Sequence, residues 1–356
     1  MKNGIKVCVV NPNYYRSSGV TTVVRRLHQG VSTQGIDQYF VNCLYGGAED
    51  DLDWIPERRH HVFRLMTSRP VELIRQMASF LLWLPRNQIP VVHVHHRRLA
   101  VLLRPFQGLG RFRLVYTSHL SYPFEWWFWL LAPHTAVAIS SSVAANLKVT
   151  ARINRLEIIG NPTDFPSQIP TRGAGLSRPV ICVARLDPVK GHEHLLRAWK
   201  ALSDRGIQAE LLLLGEGSLR AALQGQAGEL GISRLVDFRG FQKDVTLEID
   251  RASFAVLASE VEGLPVAVLE AASRGLPTLV TDVDGSRECV PPDQGLPNRV
   301  PFGNAPALAD ALAAWLEDPD AVAREGLAFH DFHKERHSTE VIGKKYADLY
   351  RKCISL

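Results

Sequence analysis

Short apolar runs alternate with amphipathic stretches along the whole chain. Residues 5–11 (IKVCVVN), 91–95 (VVHVH), 113–118 (RLVYTS) and 135–140 (TAVAIS) read as buried strands. Helical patterns fall between and after them, near 20–33, 70–84, 97–106 and 141–148. The stretch 160–178 (GNPTDFPSQIPTRGAGLSR), rich in Pro, Gly, Ser and Thr, interrupts the alternation and reads as a linker. The pattern then restarts, with strands over 179–184, 209–214, 235–239, 254–258 and 277–281. Helices are predicted over 191–205, 217–230 and 265–274, and again in the tail over 304–317 and 338–354. Leu195, Leu196, Trp199 and Leu202 make one apolar helical face, and Gly206 stops that helix. Strand–helix alternation of this kind predicts parallel sheets covered on both faces, so the fold class is α/β, in two domains.

Length and composition agree. The 356 residues suit two domains of roughly 150–200 residues each. Apolar residues make up 46% and charged residues 22%, which argues against disorder, fibrous repeats and a membrane-spanning channel. No stretch reaches the roughly 18 uninterrupted apolar residues of a transmembrane helix. The start, MKNGIKVCVVNPNYY, reads as a strand entering a turn and lacks a signal peptide's apolar core. The five cysteines (Cys8, Cys43, Cys182, Cys289, Cys353) are odd in number and far apart, which suggests reduced thiols and a cytoplasmic protein. Charge divides unevenly. Residues 1–172 hold 20 Lys+Arg against 10 Asp+Glu, net +10, and 17 of those cations are arginine. The remainder is net −5. A basic first half can serve nucleic acid, an anionic membrane surface or an acidic substrate.

Three loops in the second half carry candidate chemistry, each at the carboxyl end of a predicted strand, where open α/β sheets bind ligands. ARLDPVKG (184–191) offers Arg185 and Lys190 as two cations for a phosphate. GEGSLRAAL (215–223) has Gly215 and Gly217, which permit either close backbone approach or simply a tight turn. In EVEGLPVAVLEA (260–271), Pro265 suits the first helical position, and the free N–H groups there make an anion site. Glu262 lies just before that helix and Glu270 within it, and a carboxylate accepts from two sugar hydroxyls at once.

Taken in order, VARLDPVKGHEHLLRAW, LLLLGEGSLR, FRGFQKDV and EGLPVAVLEA with its E-x₇-E spacing resemble the retaining GT-B glycosyltransferases of family 4. The likeness covers nearly all of residues 178–290. SGVTTVVRRLHQGV, VVHVHH, VYTSHL, AISSSVAANL and IIGNPTD fit the same family's acceptor domain more loosely. The resemblance implies two Rossmann-like domains facing each other across a cleft: acceptor-binding 1–165, linker 166–178, donor-binding 179–337, and a C-terminal helix, 338–356, returning to the first domain. It implies that Arg185 and Lys190 neutralise the donor's diphosphate and that Glu270 binds the ribose. Glu262 would contact the transferred sugar with backbone at Gly263 and Leu264, and Phe241 would border the base. Gly19 would approach the diphosphate, and His119 would sit near the reacting carbon. The implied reaction is retaining, metal-independent transfer of a hexose-type sugar from a UDP- or GDP-sugar, with no cofactor. The acceptor would be a growing surface glycan on a lipid carrier, as in lipopolysaccharide, O-antigen, capsule or exopolysaccharide. Three departures stand out: Ser18-Gly19 replaces the family's paired glycines, Leu120 follows His119 where an acid is frequent, and the later glycine loop reads DVDGSREC (282–289).

Other features are open. His93, His95 and His96 invite a metal reading, yet no Cys or acidic ligand stands near them, which favours a structural or acceptor-side role. Asp282-x-Asp284 follows a strand and precedes glycine, as turn chemistry does. Trp126, Trp127 and Trp129 in SYPFEWWFWLL cannot share one helix face, so some should be exposed. With the basic helix at 70–84 they suggest a membrane interface or an apolar acceptor, and hence a peripheral protein on the cytoplasmic face of the inner membrane. A nicotinamide enzyme is excluded where NPNYYRSSG stands in place of G-x-G-x-x-G. Nucleic acid is excluded because the arginines are scattered and no binding motif accompanies them. The alternative function is a nucleotide-sugar-binding or scaffolding subunit with weak catalysis.

Overall fold

The computed structural model describes residues 4–15, 18–44, 52–170, 178–291 and 296–355. Two units divide the chain. The first runs through Pro162 and resumes at Thr339; the second takes Thr163–Ser338. Residues 171–177 of the predicted linker lie outside the described residues.

The first unit holds seven parallel strands: β1 (Ile5–Asn11), β2 (Ile36–Asn42), β3 (His60–Val62), β4 (Val91–Val94), β5 (Arg113–Ser118), β6 (Thr135–Ala138) and β7 (Arg155–Ile158). They lie in the order β3-β2-β1-β4-β5-β6-β7. Its helices are α1 (Gly19–Ser32), α2 (Pro70–Arg86), α3 (Arg97–Leu103), α4 (Gln107–Gly110), α5 (Trp126–Leu131) and α6 (Ser141–Thr150). The second unit holds β8 (Val180–Val183), β9 (Leu211–Leu214), β10 (Val236–Gly240), β11 (Ala255–Leu257), β12 (Thr278–Thr281) and β13 (Arg299–Val300), in the order β10-β9-β8-β11-β12-β13. Its helices are α7 (His192–Asp204), α8 (Arg220–Glu229), α9 (Thr246–Arg251), α10 (Val266–Ser273), α11 (Asp284–Arg287), α12 (Ala305–Glu317) and α13 (Pro319–His337). A last helix, α14 (Thr339–Ile354), belongs to the first unit.

Central strands are apolar on both faces, as sheets covered by helices on both sides require; β9 is LLLL and fully buried. In the second unit the predicted face of α7 enters the core with Leu195, Leu196, Trp199 and Leu202, all at most 1% exposed. In the first unit α14 sends Ile342, Tyr346, Ala347, Leu349, Tyr350 and Cys353 against Val7, Val91, Val115 and Val137 of the sheet and Leu27 and Val31 of α1. Glycine makes this packing possible. A Cβ on Gly343 would stand 2.3 Å from the Gly30 carbonyl carbon, and one on Gly30 would stand 2.2 Å from the Thr339 carbonyl oxygen. All five cysteines are buried and unpaired. Among the described residues no helix is long and apolar enough to cross a membrane.

Candidate active site

The strand order of the second sheet reverses between β8 and β11, and the loops leaving those strands lie at the switch point, where open α/β sheets bind ligands. After β8 the chain makes a 3₁₀ turn at Pro188–Lys190 and enters α7 through Gly191, whose φ of 64° suits glycine. A Cβ on Gly191 would meet the Ala258 carbonyl oxygen at 2.0 Å, so no other residue allows this approach. Glu260 N–H donates to Val189 O at 2.8 Å, which ties the two loops by backbone. One side-chain pair completes the join: Lys190 Nζ donates to Glu262 Oε1 at 2.5 Å, with only 19% and 8% of the two side chains exposed. Charges that sheltered persist because each half neutralises the other.

The remaining loops nest on these two. Gly215 (φ 151°) would place a Cβ 2.0 Å from Ala184 O, and Gly217 would place one 2.4 Å from Leu186 O. Leu186 N–H donates to Glu216 O at 3.0 Å, and Leu219 N–H donates to Leu186 O at 2.9 Å. The two glycines therefore let one loop lie on the backbone that presents Arg185. Gly285, in the DVDGSREC loop, is likewise pressed on the Glu262 and Gly263 carbonyl oxygens. Arg185 points outward, 64% exposed, 3.0 Å from Asp187. Phe241 is exposed beside Gly240, whose carbonyl accepts from Gly215 N–H at 2.9 Å. Gly263 and Leu264 are buried. Pro265 occupies the cap, with ψ at 117°, and α10 starts one residue later than the sequence suggests. The first N–H groups of α10 still lack intrahelical acceptors. Glu270 lies half-buried in the second turn of that helix. Asp282 accepts from Arg287 Nε at 2.8 Å, and Asp284 lies 3.6 Å from the same guanidinium. That hydrogen bond holds the Asp282 carboxyl below its usual pKa. The D-x-D is thus satisfied locally by arginine.

The first unit carries the other two predicted positions. Gly19 is exposed and opens α1; Ser18 stands at its cap without capping through its side chain. His119 follows β5, and its Nε2 lies 2.9 Å from His95 Nδ1. His95 follows β4 and packs against His93, ring centroids 4.2 Å apart. His93 in turn shares hydrogen bonds with Tyr350 Oη at 2.7 Å and Thr117 Oγ1 at 2.8 Å, and Thr117 meets Tyr346 Oη at 3.0 Å. Burial pushes His93 down to about 3 and His119 down to about 4, and holds His95 well below its usual pKa. Sequence reasoning missed this chain. The H-x-H spacing was its visible signal, but the tyrosines that anchor it lie some 250 residues away. Among the described residues no three His, Cys, Asp or Glu side chains group so as to hold a metal ion.

Beyond His119, Asn146 clamps the loop, accepting from Tyr122 N–H and donating to Tyr122 O, both at 2.9 Å. The aromatic segment then splits as its spacing requires. Phe128 is buried under the Arg97 guanidinium at 4.1 Å, while Trp126 is 71% and Trp129 41% exposed.

Comparison with known proteins agrees with this architecture. A family model described as Glycosyltransferase Family 4 matches residues 17–165, and one described as Glycosyl transferases group 1 matches residues 176–326. The chain is 31% identical over 165 residues to the putative glycosyltransferase EpsF of Bacillus subtilis, which covers 46% of this chain and 41% of that protein. It is 30% identical over 195 residues to the putative colanic acid biosynthesis glycosyltransferase WcaL of Escherichia coli, covering 51% and 46%. The chain thus spans less than half the length of these curated relatives. Among solved structures, a glycosyltransferase from Rickettsia africae superposes with a TM-score of 0.84 at 15% identity, over 99% of both chains. Anabaena Alr3699/HepE in complex with UDP superposes with a TM-score of 0.81 at 16% identity, over 98% and 100%. With two parallel-sheet units and both domain models matched along most of its length, the chain belongs to the GT-B glycosyltransferases.

Proposed function

We propose that the protein is a retaining glycosyltransferase that moves a hexose-type sugar from a UDP- or GDP-sugar to a growing, lipid-linked surface glycan. The observation that carries this reading is the Lys190–Glu262 pair at the switch point, with Arg185 on the loop that carries Lys190 and the start of α10 four residues after Glu262. Cations and helix N–H groups suit a diphosphate, and carboxylates suit the hydroxyls of a sugar and a ribose. Arg185 and Lys190 take the place a metal ion holds in other transferases. As the bond from the anomeric carbon to the phosphate oxygen breaks, negative charge gathers on the leaving diphosphate. Fixed donors aimed at such charge are worth about 3–4 kcal/mol each in a water-poor site. The acceptor oxygen bonds to the same carbon from the same face, and its proton passes to the departing phosphate oxygen. Glu262 holds the sugar, Glu270 the ribose, and Phe241 borders the base. From the first unit, Gly19 serves the diphosphate and His119 the reacting centre.

Relatives support both candidate bases. HepE was crystallised with UDP-glucose, and a Mycobacterium tuberculosis relative, 29% identical over 182 residues, is a GDP-mannose-dependent mannosyltransferase. WcaL, a putative colanic acid biosynthesis glycosyltransferase, supports a polysaccharide product. For the lipid-linked acceptor, support comes from the exposed Phe124, Trp126, Trp129 and Leu130, with Arg104 donating to Ala132 O and the Arg152 N–H donating to Trp129 O, both at 3.1 Å. The same features support a peripheral position on the cytoplasmic face of an anionic membrane. A thermal-shift panel with UDP, GDP, ADP, CMP and NAD tests the donor site. Saturating UDP or GDP alone should raise the melting temperature in the wild type and fail to in Glu270→Ala; a flat panel overturns the reading. Flotation with anionic liposomes at low salt tests the membrane contact, which absence of binding removes.

A further inference from the structure

His93, His95 and His119 of the first unit have fixed hydrogen-bond partners, and those partners decide where the protons lie. Each ring is held neutral near pH 7 by burial, so each carries one hydrogen. One hydrogen is shared between His95 Nδ1 and His119 Nε2 across 2.9 Å. If it belonged to His119, the single hydrogen of His95 would sit on its Nε2. That atom is enclosed and has no hydrogen-bond partner among the described residues. A buried N–H without an acceptor is rarer in proteins than an acceptor left bare. The hydrogen therefore belongs to His95 Nδ1, which donates to His119 Nε2. The hydrogen of His119 is then on Nδ1, which is neither enclosed nor bonded among the described residues.

We propose that His95 is a positioning residue that fixes His119 as the Nδ1–H tautomer, so that His119 works as a hydrogen-bond donor to a reactant oxygen and not as the base that takes the acceptor's proton. This rests on the proposed transfer reaction and sharpens it: with no bare nitrogen facing outward, His119 takes no proton from the acceptor, which accords with passage of that proton to the departing phosphate. The order of the chain reaches further back. Tyr350 of α14 and Thr117 of β5 pin both nitrogens of His93, and the His93 ring backs the His95 ring. His95 is 7% exposed and His93 fully buried, so neither is available to touch substrate itself.

The test needs no activity to begin. Long-range ¹H–¹⁵N correlation spectra of the full chain at pH 7, with His119 assigned by loss of its signals in His119→Asn, report its tautomer directly. A protonated Nδ1 and bare Nε2 are expected; a protonated Nε2 overturns the proposal. His95→Phe keeps a ring but no donor, and should release His119 into the other tautomer. Its kcat should fall about 10–100-fold with the donor KM little changed, as removal of orienting partners does elsewhere. His95→Asn places an amide N–H near the lost one and should recover most of that rate. Equal losses in both variants, or a loss confined to KM, overturn the positioning role. If His95→Phe does not fold, the wild-type spectrum decides alone. Nucleotide-induced thermal shifts in the same samples separate the two readings. The expected tautomer without nucleotide binding sinks the transfer reaction, whereas nucleotide binding with the other tautomer sinks only this inference.

Discussion

Lys190→Met asks what the switch-point pair contributes before any donor arrives. The substitution keeps most of the side chain's volume and removes its charge. Glu262, whose side chain is 8% exposed, is then left as a buried carboxylate without its cation. Breaking a buried pair from one side costs about 3–5 kcal/mol. The lower end applies here, about 3 kcal/mol, because 19% of the lysine side chain meets water and screens the interaction. In a unit of this size each kcal/mol moves the melting point by roughly 2–4 °C, so the second unit should melt about 6–12 °C lower. The double variant Lys190→Met, Glu262→Gln removes both charges and should recover most of that loss, since neutral replacements of buried pairs are often tolerated. Scanning calorimetry of wild type, both single variants and the double variant closes the cycle. A Lys190→Met melting point within 2 °C of wild type, or a double variant no better than the single, refutes the argument. Turnover should stay low in the double variant even where stability returns, because the cation proposed to face the diphosphate is still missing.

Three further outcomes follow from the geometry. Glu270→Ala removes a charge-assisted acceptor worth about 1.5–3 kcal/mol, so calorimetric nucleotide affinity should weaken roughly 10–150-fold; an unchanged Kd rejects the ribose role. Gly343→Ala gains up to about 1 kcal/mol of helix propensity but drives a Cβ into the Gly30 backbone at a cost of about 1–3 kcal/mol, so the first unit should lose up to about 2 kcal/mol net in urea unfolding; a stabilised variant contradicts this. Burial lowers His93 to about 3 and His192 and His333 to about 4, while the unfolded chain takes up the same protons near pH 6.5. Stability should therefore be full above pH 6.5 and fall as pH drops toward 4, by at most about 1.4 kcal/mol per unit for each histidine, and equal urea midpoints at pH 7.5 and 5.0 would count against it.

The second unit's candidate site could be proposed from the sequence because its residues sit in contiguous motifs at strand ends, where glycine, proline and paired carboxylates leave a local signature. Less legible were elements whose buried face is not apolar. β2 (IDQYFVN) carries Asp37, Gln38 and Asn42 within seven residues, and no strand was expected there. Helix α13 is 19 residues long, yet it buries Glu325, Gly326, His330, His333 and His337 along with Ala321, Val322 and Phe329, so hydrophobic periodicity misses it. His333 is buried by being bonded: its Nε2 donates to Cys289 O at 2.8 Å. His95 escaped for a different reason. Its meaning depends on His119 in a neighbouring loop and on tyrosines at the far end of the chain, and spacing rules read only local neighbours.

The return of α14 to the first unit has a consequence for synthesis. Residues 339–354 are made after the entire second unit, which takes roughly 9–35 s to translate at about 5–20 residues per second. Through that interval the first sheet has no α14 to cover Val7, Val91, Val115 and Val137, and the groove beside Gly30 stands open. The second unit is contiguous in sequence, so its chain is complete before that of the first unit, most of which is made earlier. The nascent first unit is thus an apolar surface waiting for its own tail, and this is the stage at which a ribosome-associated chaperone has most to protect.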